Sequence, residues 1–137
     1  MVGLSARTDR AGVNALRPLV ADLGYTLRIV DTPPDILHFK TDSSLLDAET
    51  VLATPRLAAT GCFKGYRVIE TAEGEGAAAN AIRFNDRVFL SAGHPRTAER
   101  LDKAGFAVVE LPMSQAALLD GGLSCLSLRY SLPGVRT

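Results

Sequence analysis

The spacing of apolar residues changes twice in the first thirty positions, and each change predicts an element. Residues 1–5 are a short, mostly apolar run that reads as a strand. Val13, Leu16, Leu19, Val20 and Leu23 then recur at helical spacing, which is the apolar stripe of an amphipathic helix. Thr8 or Asp9 can cap its start, because a short side-chain oxygen accepts from the orphan N–H groups of a first turn. Gly24 can close the helix in the left-handed region, and residues 25–30 alternate into a second strand that Pro33-Pro34 stops.

The same order of signals returns twice. Between residues 36 and 70 the pattern predicts a strand around Leu37-His38-Phe39, a return strand at 49–53, a helical or irregular stretch after Pro55, and a strand at 66–70. In the third pass, residues 79–84 and 87–91 alternate on either side of Asn85-Asp86, a hairpin signal. A helix at 97–104 follows, Gly105 ends it, and 107–111 form the next strand. Leu4-Ser5-Ala6 and Leu23-Gly24-Tyr25 stand where Leu90-Ser91-Ala92 and Ala104-Gly105-Phe106 stand in the later pass. The repeating unit is therefore ββαβ. A fourth unit opens at Gly122 with a strand predicted over 123–130, and the first unit begins at its second strand. Such units bury their faces against neighbours, so an array cut at both ends implies that part of the protein lies elsewhere.

Composition narrows the function classes. With 137 residues and 47% hydrophobic content the chain can bury the core of one domain, and fifteen basic residues balance fifteen acidic ones. No overall field draws it to nucleic acid or an anionic membrane, so a small-molecule substrate is the expected partner. Cys62 and Cys125 form no CxxC or Cys/His cluster, which argues against a zinc site or a disulfide framework and for a reducing compartment. No run approaches the roughly 18 apolar residues of a membrane span, and the start carries Arg7, Asp9 and Arg10 rather than an apolar signal region. A cytoplasmic location is the expectation.

The candidate chemistry comes from the register of the repeats. His38 follows Asp35, Asn80 follows Glu75-Gly76, and Cys125 follows Asp120-Gly121-Gly122, each near the start of a unit. Packed about a pseudo-symmetry axis, these positions converge, which is how a Cys–His pair distant in sequence arises. The plainer readings are an inert cysteine in an apolar strand and a hydrogen-bonded core histidine. The Gly-Gly turn before Cys125 and the shared register favour the catalytic reading. Cys62 reads as structural or exposed, His94 as a loop residue, and Asn80 as a hydrogen-bonding support. Glu73-Gly74-Glu75-Gly76 lacks the oxygen spacing of a calcium loop and reads as a flexible acidic turn.

The segments LHFK, EGEGAAANAIRFNDRVFLSAGHPRTAERL and DGGLSCLSLR resemble the C-terminal half of dimethylarginine dimethylaminohydrolases, and SARTDRAG resembles their substrate-arginine motif. The resemblance covers essentially the whole chain and implies the pentein fold, five ββαβ units about a pseudo-fivefold axis. The expectation is thus an α/β partial propeller of about half of those units, with residues 1–137 forming the C-terminal part of a single catalytic domain and the N-terminal half absent. Carried over, it implies that Cys125 attacks a guanidinium carbon and that His38 protonates the departing amine and then activates water. It further implies that Arg7 binds the substrate α-carboxylate and that the Leu119 main chain contacts the amino-acid end. Neither a metal nor an organic cofactor is expected.

GG-x-x-C alone is shared with arginine and agmatine deiminases and amidinotransferases, while the SART motif and the Leu-Ser-Leu-Arg after Cys125 favour the dimethylarginine enzymes. The acidic groups that hold the guanidinium in this family lie in the half not represented. A non-catalytic binding or assembly module is therefore the competing class, with a homodimer formed through exposed strand edges as its partner.

Overall fold

The computed structural model describes residues 1–128 and contains three small sheets with short helices beside them. β1 (Val2–Leu4) leads into α1 (Arg10–Ala21) and returns as β2 (Ile29–Asp31), which pairs with β1 in parallel. Asp9 caps α1 by accepting the Gly12 N–H at 2.7 Å, and Gly24 closes the following turn at φ 81°. The stripe of α1 is less buried than its periodicity predicts. Val13 is in the core, whereas Leu19 and Leu23 are 63% and 74% exposed.

Two complete ββαβ units follow. β3 (Ser43–Leu45) and β4 (Thr50–Ala53) pair antiparallel, α2 (Pro55–Ala58) crosses over, and β5 (Arg67–Glu70) joins β4 in parallel. β6 (Ile82–Phe84), β7 (Arg87–Ser91), α3 (Pro95–Lys103) and β8 (Ala107–Leu111) repeat that topology, and a one-turn helix α4 (Ser114–Ala117) trails it. The predicted hairpin and Gly105 stop both hold, with Asn85 at φ 53° and Gly105 at φ 92°.

β4 is buried along its whole length and joins two cores, because successive side chains point to opposite faces. Leu52 packs with Leu46, Ile69, Val88, Leu90 and Leu101, while Val51 and Ala53 pack with Ile36, Leu57 and Phe63. Each such Leu contributes about 1.5–3 kcal/mol on transfer from water. No helix among the described residues is long and apolar enough to cross a membrane.

Two strand expectations fail, and both failures lie where the site is built. Leu37-His38-Phe39 is not a strand: His38 precedes a 3-10 turn over Phe39–Thr41, closed by the Thr41 N–H on the His38 carbonyl at 2.9 Å. The stretch 123–130 opens as a 3-10 turn, Leu123–Cys125, with the Cys125 and Leu126 N–H groups both on the Gly122 carbonyl. Arg129 and Tyr130 lie outside the described residues. The predicted strand at 25–30 is shortened and shifted to β2.

The acidic turn is also more ordered than composition implies. Glu75 is buried and its carboxylate sits at the start of α3, accepting the Thr97 N–H at 2.7 Å and the Arg96 N–H at 3.2 Å. The neighbouring unit uses a related device, in which buried Asp42 accepts from Thr54 Oγ1 at 2.9 Å and from Arg56 Nε at 2.8 Å at the start of α2. In both units a Pro-Arg pair opens the helix, and the arginine ties it to the segment bearing the 3-10 turn.

Candidate active site

Three turns from three units meet at Cys125. The Gly76–Ala79 turn leads directly to Asn80, which is buried, and whose Oδ1 accepts the Ser124 N–H at 2.9 Å. Asn80 Nδ2 stands 3.7 Å from Cys125 Sγ. From the Phe39–Thr41 turn, Lys40 Nζ lies 3.4 Å from the same sulfur and 3.2 Å from Ser124 Oγ. The expected support role of Asn80 is thus present, but directed at the next unit rather than its own.

The surroundings suit an anionic sulfur. A hydrogen bond from the Gly122 main chain lowers the Cys125 thiol below its ordinary value; partial burial opposes it, and the Asn80 amide and the Lys40 ammonium add to the lowering. The thiol is exposed to solvent, as a nucleophile requires. None of its hydrogen-bond partners among the described residues is a carboxylate. Cys62 is also free but half-buried against the Leu57 and Phe63 core, its Sγ facing the Leu57 carbonyl at 3.9 Å.

The other sequence candidates lie around this centre to different degrees. His38 is exposed two residues before Lys40 and lines a hollow of about 330 Å³ with Met1, Gly3, Val13 and Leu37; no hydrogen bond joins it to Cys125. Arg7 is exposed on the turn between β1 and α1, its N–H on Ser5 Oγ, which in turn donates to the Leu37 carbonyl at 2.7 Å. The Arg7 turn is therefore tethered beside His38. Leu119 is 87% exposed just after α4, on the approach to Gly121-Gly122. Those glycines border a separate hollow of about 490 Å³ that also takes in Asn80, His94 and Met113.

Lys40 is the site residue that sequence reasoning missed. LHFK gives it no motif of its own, and the 3-10 turn that carries it leaves no periodic signal in the sequence.

No protein-family model matches the chain. Over 129 residues it is 35% identical to the N(G),N(G)-dimethylarginine dimethylaminohydrolase of Pseudomonas aeruginosa, covering 94% of this chain and 50% of that protein. A protein of the same name from Streptomyces coelicolor is 32% identical over 130 residues, covering 93% of this chain and 48% of that protein. Among solved structures, a cysteine-to-serine mutant of the Pseudomonas aeruginosa protein complexed with citrulline superposes with a TM-score of 0.86 and 34% identity, over 93% of this chain and 50% of that one. The chain spans about half the length of the curated relatives it matches. Shared sequence and shared fold make it a relative of the dimethylarginine dimethylaminohydrolases over about half the length of such a protein.

Proposed function

We propose that this chain carries the nucleophile half of a cysteine hydrolase acting on the guanidinium group of an Nω-methylated arginine. The observation that supports it most is the seating of Cys125 Sγ against the Asn80 amide and the Lys40 ammonium, in a chain that aligns with dimethylarginine dimethylaminohydrolases. In this reading the three units form part of a five-unit propeller, and the segment completing it supplies the acidic groups for the guanidinium. A buried guanidinium without an anionic partner would be costly.

Cys125 attacks the guanidinium carbon and forms a covalent thiouronium as the methylamine departs. His38 gives that amine its proton and then takes one from the water that releases citrulline. Arg7 holds the α-carboxylate through its two parallel N–H donors, and the Leu119 main chain meets the amino-acid end. The test is citrulline release from dimethylarginine, arginine and agmatine by the product of the whole reading frame. Dimethylarginine should be turned over fastest and Cys125→Ser should abolish turnover; faster arginine or agmatine turnover would make the protein a deiminase instead.

A second reading, an assembly module without turnover, is favoured by the exposed apolar side chains Leu19, Leu23 and Tyr25 on one side and Leu118, Leu119, Leu126 and Leu128 on another. Light scattering of the 137-residue chain separates the two, since self-association with no citrulline release would support the module.

A further inference from the structure

Asn80 is gripped from the unit before it and acts on the unit after it. Ser44 Oγ, on β3, donates to the Ala79 carbonyl at 2.6 Å and accepts the Ala81 N–H at 3.3 Å, so one hydroxyl holds the main chain on both sides of residue 80. β3 is itself fixed, because Ser44 stands opposite Leu52, whose side chain is fully buried in the core. The Asn80 N–H closes its own turn on the Ala77 carbonyl at 3.2 Å. Asn80 is only 4% exposed, so its amide depends on protein partners rather than water.

Both ends of that amide meet the next unit. Oδ1 accepts the Ser124 N–H at 2.9 Å, and Nδ2 faces Cys125 Sγ at 3.7 Å. The segment so held is a single 3-10 turn, Leu123–Cys125, closed by main-chain bonds onto the Gly122 carbonyl at 3.0 and 3.2 Å. One such turn is a weak frame, since its hydrogen-bond geometry is poorer than that of an α-helix. Lys40 reaches the same Ser124 and the same sulfur, but from an exposed side chain on a flexible stem. A short, buried amide fixes a position better than a long, exposed amine.

We infer that Asn80 is the positioning residue of Cys125 and that Ser44 is its anchor: this relay across the units sets where Sγ stands, and so governs the rate of attack rather than the binding of substrate. The inference rests on Cys125 being the nucleophile and asks nothing of the charge on its sulfur. An attacked carbon must be met at the right distance and angle, and a misplacement of about 1 Å costs about a hundredfold in rate. Asparagine suits the task because one planar group carries both an acceptor for the Ser124 N–H and a donor for the sulfur, whereas a carboxylate has no donor.

The test is steady-state turnover by the product of the whole reading frame, with whichever of dimethylarginine, arginine and agmatine it converts fastest and with folding checked by circular dichroism. Asn80→Ala should lower kcat about tenfold to a hundredfold and leave KM within about twofold of wild type. Ser44→Ala should lower kcat about threefold to tenfold, the worth of one hydrogen-bonding group, and Ser44→Thr, which keeps the hydroxyl, should recover it. In an Asn80→Ala background Ser44→Ala should lower kcat no further, because the hydroxyl acts through the amide; a hydroxyl that only supported the fold would give losses that multiply. Multiplying losses, a rise in KM with kcat unchanged, or equal losses in Ser44→Thr and Ser44→Ala would overturn the inference while leaving the nucleophile in place. No turnover by wild type, or turnover that survives Cys125→Ser, would overturn the nucleophile reading and the inference with it.

Discussion

Gly122 and Asn80 occupy adjoining space so closely that a Cβ atom on the glycine would lie 2.1 Å from Asn80 Nδ2 and 2.6 Å from Asn80 Cγ. The amide that stands against Sγ and holds the Ser124 N–H fits only because residue 122 has no side chain. Gly122→Ala should therefore cost about 1–3 kcal/mol in denaturant unfolding, as overpacking does, and slow alkylation of Cys125. The added methyl group should cost markedly less in an Asn80→Ala background, because the two residues share one space. A double-mutant cycle checks it, and additive losses would mean that the clash is relieved elsewhere.

Gly3 should transmit to the site in the same way. A Cβ there would meet Thr32 Cγ2 at 2.6 Å as well as Phe39 Cβ, so Gly3→Ala pushes the Lys40 turn away from the sulfur. Unfolding should show a loss of about 1–3 kcal/mol. The pH midpoint for Cys125 alkylation should rise with it.

Glu75 sets an acid limit on the fold. Burial works to raise its carboxyl, but hydrogen bonds from the Thr97 side chain and main chain and from Arg96 hold it at about 2, below the ordinary 4.5. A folded value below the unfolded one means that its contribution is complete above about pH 4.5 and is lost as pH falls from there toward 2. Glu75→Gln should lower stability at pH 7 by about 1–2 kcal/mol, the scale of a lost helix cap. Its thermal unfolding should also change less than wild type between about pH 5 and 2.

A cationic haloacetamidine should label Cys125 much faster than Cys62 at neutral pH. The first thiol is exposed and stands among groups that favour thiolate, while the second is half-buried in an apolar cluster. Removing the like charge with Lys40→Met should raise the preference of Cys125 for the cationic reagent over neutral iodoacetamide. Limited alkylation with mass mapping gives both ratios, and equal labelling of the two cysteines in folded protein would count against a preorganised nucleophile.

The repeats were legible because each is punctuated by residues with one local use. Gly24 and Gly105 take the left-handed region after their helices, Asn85 does so in a hairpin, and Asp9 caps α1. The turns that make the site were not. Leu37-His38-Phe39 and the stretch after Leu123 are short apolar runs that a strand and a 3-10 turn fill equally well. What decides between them is distant or main-chain bonding: Asn80 on the Ser124 N–H, Ser43 on the Phe39 carbonyl, Gly122 on Cys125. Lys40 went unread for the same reason, since its meaning comes from a sulfur 85 positions away. The exposed flank of α1 shows the opposite error, where periodicity correctly gave a helix but could not say which surface covers its leucines.

The separation of the groups around Cys125 also fixes when that centre can exist during synthesis. Its contacts span 45 positions to Asn80 and 85 to Lys40, so two large loops must close before the sulfur has either neighbour. A ribosome that has released β1 through β8 has made both complete repeats and both helix-start clamps, but not yet Cys125. Cys125 is made after both of these neighbours, and joins a seat whose other parts are already in the chain.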